Sequence, residues 1–132
     1  MTAVAQNNST TAAGAVKCAA FWGHDGKALA DFYAAALGWK VTQTFGDTAA
    51  MISDGTTTYV FYTAESFMAP DWPEDELVFH LDLAFDDVAA AERRLSGLVA
   101  TKPAHQPGGR HWTVLLDPSG QPFCISAAGK NG

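Results

Sequence analysis

Apolar and polar residues alternate from Leu77 to Phe85, with His80 and Asp82 falling on one side and Leu81 and Leu83 on the other. That period of two predicts a half-buried strand. The period then lengthens: Val88, Ala91 and Leu95 form one stripe of a helix expected over Val88 to Ser96, with Asp86 and Asp87 placed to cap it. A similar switch occurs near the N-terminus. Ala15 to Trp22 reads as a strand carrying Cys18, Ala20 and Trp22 on one face and Ala19 and Phe21 on the other. Lys27 to Leu37 reads as a helix with Leu29, Phe32, Tyr33, Ala36 and Leu37 at helical spacing, capped by Asp25 and ended by Gly38.

Three strands are expected after each helix. In the first half they are Trp39 to Phe45, Ala49 to Ser53 and Thr57 to Thr63, the last two joined by Asp54-Gly55, a strong hairpin signal. In the second half they are Val99 to Lys102, His111 to Leu116 and Pro122 to Ser126. Asp117-Pro118-Ser119-Gly120 is a turn, and Gly108-Gly109 reads as loop flexibility. Cys18 precedes Asp25 by seven positions and His80 precedes Asp87 by seven, so both pairs are related by a shift of 62. The chain therefore reads as an α+β protein made of two tandem βαβββ modules around a cavity, residues 15–64 and 77–127, with a connector at 65–76 and tails at 1–14 and 128–132. The connector holds Phe67, Met68, Pro70, Trp72 and Pro73, apolar residues that fit a lid over either the core or a ligand.

Composition narrows the function classes. A hydrophobic share of 48% over 132 residues supports a real core and disfavours disorder. The net charge of −6 disfavours a nucleic-acid partner, which needs clustered Lys and Arg, and suits a neutral or cationic ligand. No run of about 18 apolar residues predicts a membrane span, and no signal peptide is legible, so a cytoplasmic protein with Cys18 and Cys124 reduced is expected. There is no Ser-His-Asp set, no phosphate-cradling Gly loop and no dinucleotide fingerprint.

Asp31-Phe32-Tyr33 through Leu37-Gly38-Trp39, the strand His80-Leu81-Asp82-Leu83 with Asp87, and Trp112 through Asp117-Pro118-Ser119-Gly120-Gln121-Pro122-Phe123-Cys124 together resemble the vicinal oxygen chelate superfamily of glyoxalase I, bleomycin-resistance proteins and extradiol dioxygenases. Trp72-Pro73 ahead of His80 resembles its actinobacterial glyoxalase-like branch. The resemblance covers roughly residues 15 to 127 and implies a curved mixed sheet enclosing a cavity, with the helices outside, and a homodimer with ligand clefts at or near the subunit interface.

Metal-dependent members place one ligand on the first and one on the last strand of each module. Carried over, these positions fall on Cys18, His80, Cys124 and a residue near Phe61, so only His80 keeps the usual ligand type. Cys18, His80 and Cys124 could hold zinc, but the aromatic fourth position and the missing carboxylates disfavour a hard-cation site. Cysteines on core strands also serve as small buried hydrophobes. His80 and Asp82, two apart on one strand, are either a proton-transfer pair or a polar pair in the cavity wall. Trp22, Trp39, Tyr59, Phe61, Phe67, Trp72 and Trp112 are more aromatics than so small a core needs. With His80 and Cys124 they form the candidate binding set for a flat apolar ligand. The expected function is therefore sequestration of a hydrophobic aromatic natural product, without chemistry or cofactor, as in antibiotic self-resistance. The alternatives are a metal-dependent lyase, isomerase or dioxygenase of the same superfamily, and a metal-free enzyme using His80 and Asp82.

Overall fold

The computed structural model describes residues 14–129; the expected N-terminal tail, apart from Gly14, and the last residues of the C-terminal tail lie outside the described residues. The first module contains β1 (Ala19–Gly23), α1 (Gly26–Leu37), β2 (Lys40–Phe45), β3 (Ala49–Ser53) and β4 (Thr58–Thr63). Its strands form a mixed sheet in the order β1-β4-β3-β2, with β1 parallel to β4 and the other pairs antiparallel. The second contains β5 (Asp82–Phe85), α2 (Val88–Gly97), β6 (Thr113–Leu116) and β7 (Pro122–Ala127), a mixed sheet in the order β5-β7-β6. The parallel β1·β4 pairing recurs as β5·β7, so the duplication read from the spacing is a duplication of architecture.

Both helices start where their caps place them. Asp25 and Asp87 are extended, and each accepts from the amide three residues on, Ala28 at 3.1 Å and Ala90 at 3.0 Å. Gly38 ends α1 in the left-handed region at φ 73°, which an L side chain would resist.

The second module departs from expectation after α2. The strand expected at Val99 to Lys102 is reduced to a single bridge between Thr101 and Leu116. Val99 has φ 79°, outside the extended region, and Pro103 has no amide to donate, so pairing cannot propagate in either direction. Gln106 substitutes for part of the missing strand: its amide nitrogen donates to Val114 O at 2.9 Å and its amide oxygen accepts from Val114 N at 2.9 Å. β5 also begins later than expected, at Asp82, so His80 and Leu81 precede the strand, although Leu81 O still accepts from Cys124 N.

One core joins the modules. From the first come Leu29, Phe32, Tyr33, Ile52 and Phe61; from the second, Leu83, Leu95, Leu115, Phe123 and Ile125, all at most 6% exposed. Tyr33 is the hinge of this packing. Its ring stacks on Phe61 at 5.3 Å and meets Phe123 edge-on at 5.7 Å, and its hydroxyl donates to Asp117 Oδ2 at 2.7 Å. Asp117 Oδ1 accepts from the amides of Ser119 at 2.8 Å and Gln121 at 3.1 Å. Arg94, at the end of α2, adds a second link by donating to the free carbonyls of Ala35 and Ala36 at the end of α1.

Burial pushes the Asp117 carboxyl above its ordinary range, against the lowering effect of the bonds from Tyr33 and the Gln121 and Ser119 amides. Burial, then the Asp117 charge, pushes Tyr33 well up. Tyr33→Phe should cost about 1–3 kcal/mol in urea unfolding, because it strips a buried acceptor of its donor. A raised folded-state value for Asp117 means that its contribution to stability is fully present below its unfolded value, about 3.9, and is lost as pH rises through the folded value. The stability of the wild type relative to Asp117→Asn should therefore fall as pH rises through the acid range; a difference that grows in favour of the wild type would contradict this placement.

Candidate functional site

Each sheet turns one face to its helix and the other away from it. In the first sheet Phe21 pairs with Phe61, Ala50 with Phe61 and Ile52 with Tyr59, so these residues share the helix side. The opposite face carries Trp22 and Tyr62, stacked at 5.0 Å and 53% and 38% exposed. Trp22 and the Tyr59/Phe61 pair, grouped by the sequence into one aromatic wall, therefore lie on opposite faces. Phe61 is buried against Tyr33, and Trp39 packs on Tyr59 at 5.1 Å at the margin of the core, outside both cavities described below. Tyr62, absent from the predicted set, is what Trp22 stacks on; strict alternation from Phe61 would have revealed it.

In the second sheet Asp82, Cys124 and Val114 form one row across β5, β7 and β6 on the face away from α2. This row floors a cavity of about 540 Å³ walled by Trp72, Trp112, His80 and His111. His80 Nε2 lies 3.2 Å from Asp82 Oδ1, and the ligating atoms of His80, Asp82 and Cys124 all lie within 4.8 Å of one another. Trp72 meets His105 edge-on at 5.2 Å. Trp112 is held by a residue read from sequence only as flexible: a Cβ on the buried Gly108 would overlap the Trp112 indole, so only glycine lets the ring lie there.

The expected zinc trio is rearranged. The structure brings His80 and Cys124 together with Asp82, whereas Cys18 does not belong to the cluster, and both cysteines are free thiols. The reason is visible in the pairing registers. Asp82 pairs with Cys124 in the second module and Ala20 pairs with Val60 in the first, so Val60, not Phe61, is the counterpart of Cys124. The first module thus offers Cys18, Ala20 and Val60 where the second offers His80, Asp82 and Cys124. The polar constellation exists in one module only. Burial, then the Asp82 charge and hydrogen bond, pushes the Cys124 thiol up to about 11, so in the metal-free protein it is a neutral donor rather than a nucleophile. His80, Asp82 and Cys124 fit zinc by donor type and proximity, but they do not provide the oxygen set a hard cation requires.

Phe67 from the connector packs edge-on against His24 at 5.2 Å and lines the other cavity, with Trp22, Tyr59 and Phe61. Apart from Trp39, the predicted aromatic set is thus divided between two cavities, and His80 borders both.

The sequence profile of the glyoxalase-like domain matches residues 20–126. Solved structures with the same fold include a possible glyoxalase from Bacillus cereus (TM-score 0.66, 14% identity, covering 87% of this chain and 100% of that one). A genomically encoded fosfomycin resistance protein from Listeria monocytogenes superposes with TM-score 0.66 at 11% identity, over 89% and 94% of the two chains. A bleomycin-binding protein complexed with bleomycin superposes with TM-score 0.56 at 17% identity, over 88% and 100%. A search of curated proteins found no match to the chain.

Replacing Asp82 by Asn in a Cys18→Ser background should lower the Cys124 value only in part, since burial remains. Iodoacetamide alkylation of Cys124 at pH 8 should quicken several-fold, within the tenfold that one pKa unit allows. An unchanged rate would show that Asp82 does not act on the thiol.

Proposed function

The chain belongs to the glyoxalase-like domain family of the vicinal oxygen chelate superfamily, and we propose that within it this protein binds and sequesters a hydrophobic aromatic small molecule without transforming it, as a resistance protein does. One observation carries the reading: Trp72 and Trp112 wall a cavity whose polar groups come from a single module, while two of the three matching positions of the other, Ala20 and Val60, have no ligating group. A flat ligand would stack against the indoles, with its polar edge toward His80 and Asp82. The bleomycin-binding and fosfomycin-resistance relatives lend support to a resistance role.

The exposed face of the first sheet, with Trp22, Tyr62 and Phe45, supports a homodimer in which a second copy covers it. No described helix is long and apolar enough to cross a membrane, and the charge of −6 gives no footing for nucleic acid.

A second reading, favoured by the His80–Asp82–Cys124 cluster, is a zinc-dependent enzyme. Zinc there would act as a Lewis acid toward an oxygen of the bound molecule. His80, Asp82 and Cys124 would hold the ion, and the indoles would hold the substrate plane.

Titration with a panel of planar aromatic antibiotics should quench tryptophan emission, and mass spectrometry should recover the bound compound unchanged. Trp72→Ala and Trp112→Ala should each weaken binding about tenfold, or about 1.4 kcal/mol. Sedimentation should give the mass of a dimer. Stoichiometric metal lost on His80→Ala, together with turnover, would replace sequestration by the second reading.

A further inference from the structure

The seam between the modules encloses a larger cavity, of about 740 Å³, a size typical of small-molecule sites. It lies beside β1, an outer strand of its sheet, whose free side faces the 77–81 segment. One wall is aromatic: Phe21 is edge-on to Tyr59 at 5.3 Å and stacked on Phe61 at 5.4 Å. The other wall is a strap formed by the connector and the run into β5. Three of its side chains, Met68, Val78 and Phe79, are 86%, 87% and 81% exposed, a concentration of uncovered apolar surface at one cavity mouth. The titratable side chains at the lining include the carboxyl groups of Glu76 and Asp117 and the imidazole of His80; no Lys or Arg lines it among the described residues. The cavity shares only Leu77, His80 and Pro122 with the one between Trp72 and Trp112.

We propose that this seam cavity is a second binding site, for an apolar aromatic molecule that carries no negative charge. Aromatic walls favour a flat ring system, and the exposed strap residues gain cover when it enters. Carboxylates with no Lys or Arg beside them penalise an anion there. The proposal does not depend on sequestration at the other cavity.

A matched pair of dyes tests it. N-phenyl-1-naphthylamine is neutral, and 8-anilinonaphthalene-1-sulfonate is the same ring system with a sulfonate. In a Trp72→Ala background, which weakens the other aromatic cavity, the neutral dye should bind one per chain with blue-shifted emission, and the anionic dye at least tenfold more weakly. Ala19→Phe, which fills the cavity from β1, should abolish neutral-dye binding. Met68→Glu places a charge at the mouth on a residue with no core contact, so it should weaken the neutral dye about tenfold at unchanged melting temperature. Trp112→Ala, which alters only the other cavity, should leave dye affinity as in the wild type. Equal affinity for the two dyes, unchanged binding in Met68→Glu, or loss of binding in Trp112→Ala would each overturn the proposal. Antibiotic quenching that fails while the neutral dye still binds would remove the sequestration reading and leave this one standing.

Discussion

The Tyr33 hydroxyl donates to Asp117 across the module boundary, and the packing of the two halves depends on that buried contact. The phenol ring lies flat on Phe61 of the first sheet and edge-on to Phe123 of the second, so a single side chain of α1 touches both cores. Asp117 in turn receives the amides of its own turn, which tie the β6–β7 connection to α1. A buried carboxyl is tolerated because each oxygen has a donor. The larger cavity lies along this seam, with Tyr33 and Asp117 in its lining.

Duplication supplies the frame, and divergence of the two copies supplies the chemistry. The same parallel pairing, the same capping Asp and the same helix-on-sheet packing appear twice. The faces turned away from the helices have taken separate courses. In the first module that face is aromatic, with Trp22 on Tyr62; in the second it is polar at its centre, with His80, Asp82 and Cys124 inside a rim containing two indoles. Such a rim with a small polar centre suits recognition of a flat molecule with one polar edge.

Most of the fold was legible because its signals are local. Asp25, Gly38, Asp87 and the Asp54-Gly55 turn act within a few residues of themselves, and the shift of 62 exposed the repeat. The lost strand after α2 was less legible. Val99 has high strand propensity, but the tight exit of α2 forces it to positive φ, and the pairing role passes to the Gln106 side chain, which no periodicity marks. At the site, His80, Asp82 and Cys124 could be named but not grouped. Their meeting depends on the β5·β7 register; the equivalent β1·β4 register pairs Ala20 with Val60, and counting from the turn made Phe61 look like the fourth ligand position because Asp54 precedes Val60 by one residue fewer than Asp117 precedes Cys124. Gly108 shows the same limit: its role is a close approach to an indole four residues ahead, which spacing alone does not reveal.

The central claim is that the face bearing Trp72, Trp112 and His80 holds an aromatic molecule intact. A crystal structure of the protein grown with a planar aromatic antibiotic tests it most directly. Unaltered ligand density is expected against the Trp112 indole, with a polar edge toward His80 and Asp82. A metal ion coordinated by His80, Asp82 and Cys124, with a transformed molecule bound to it, would instead make this face a catalytic centre.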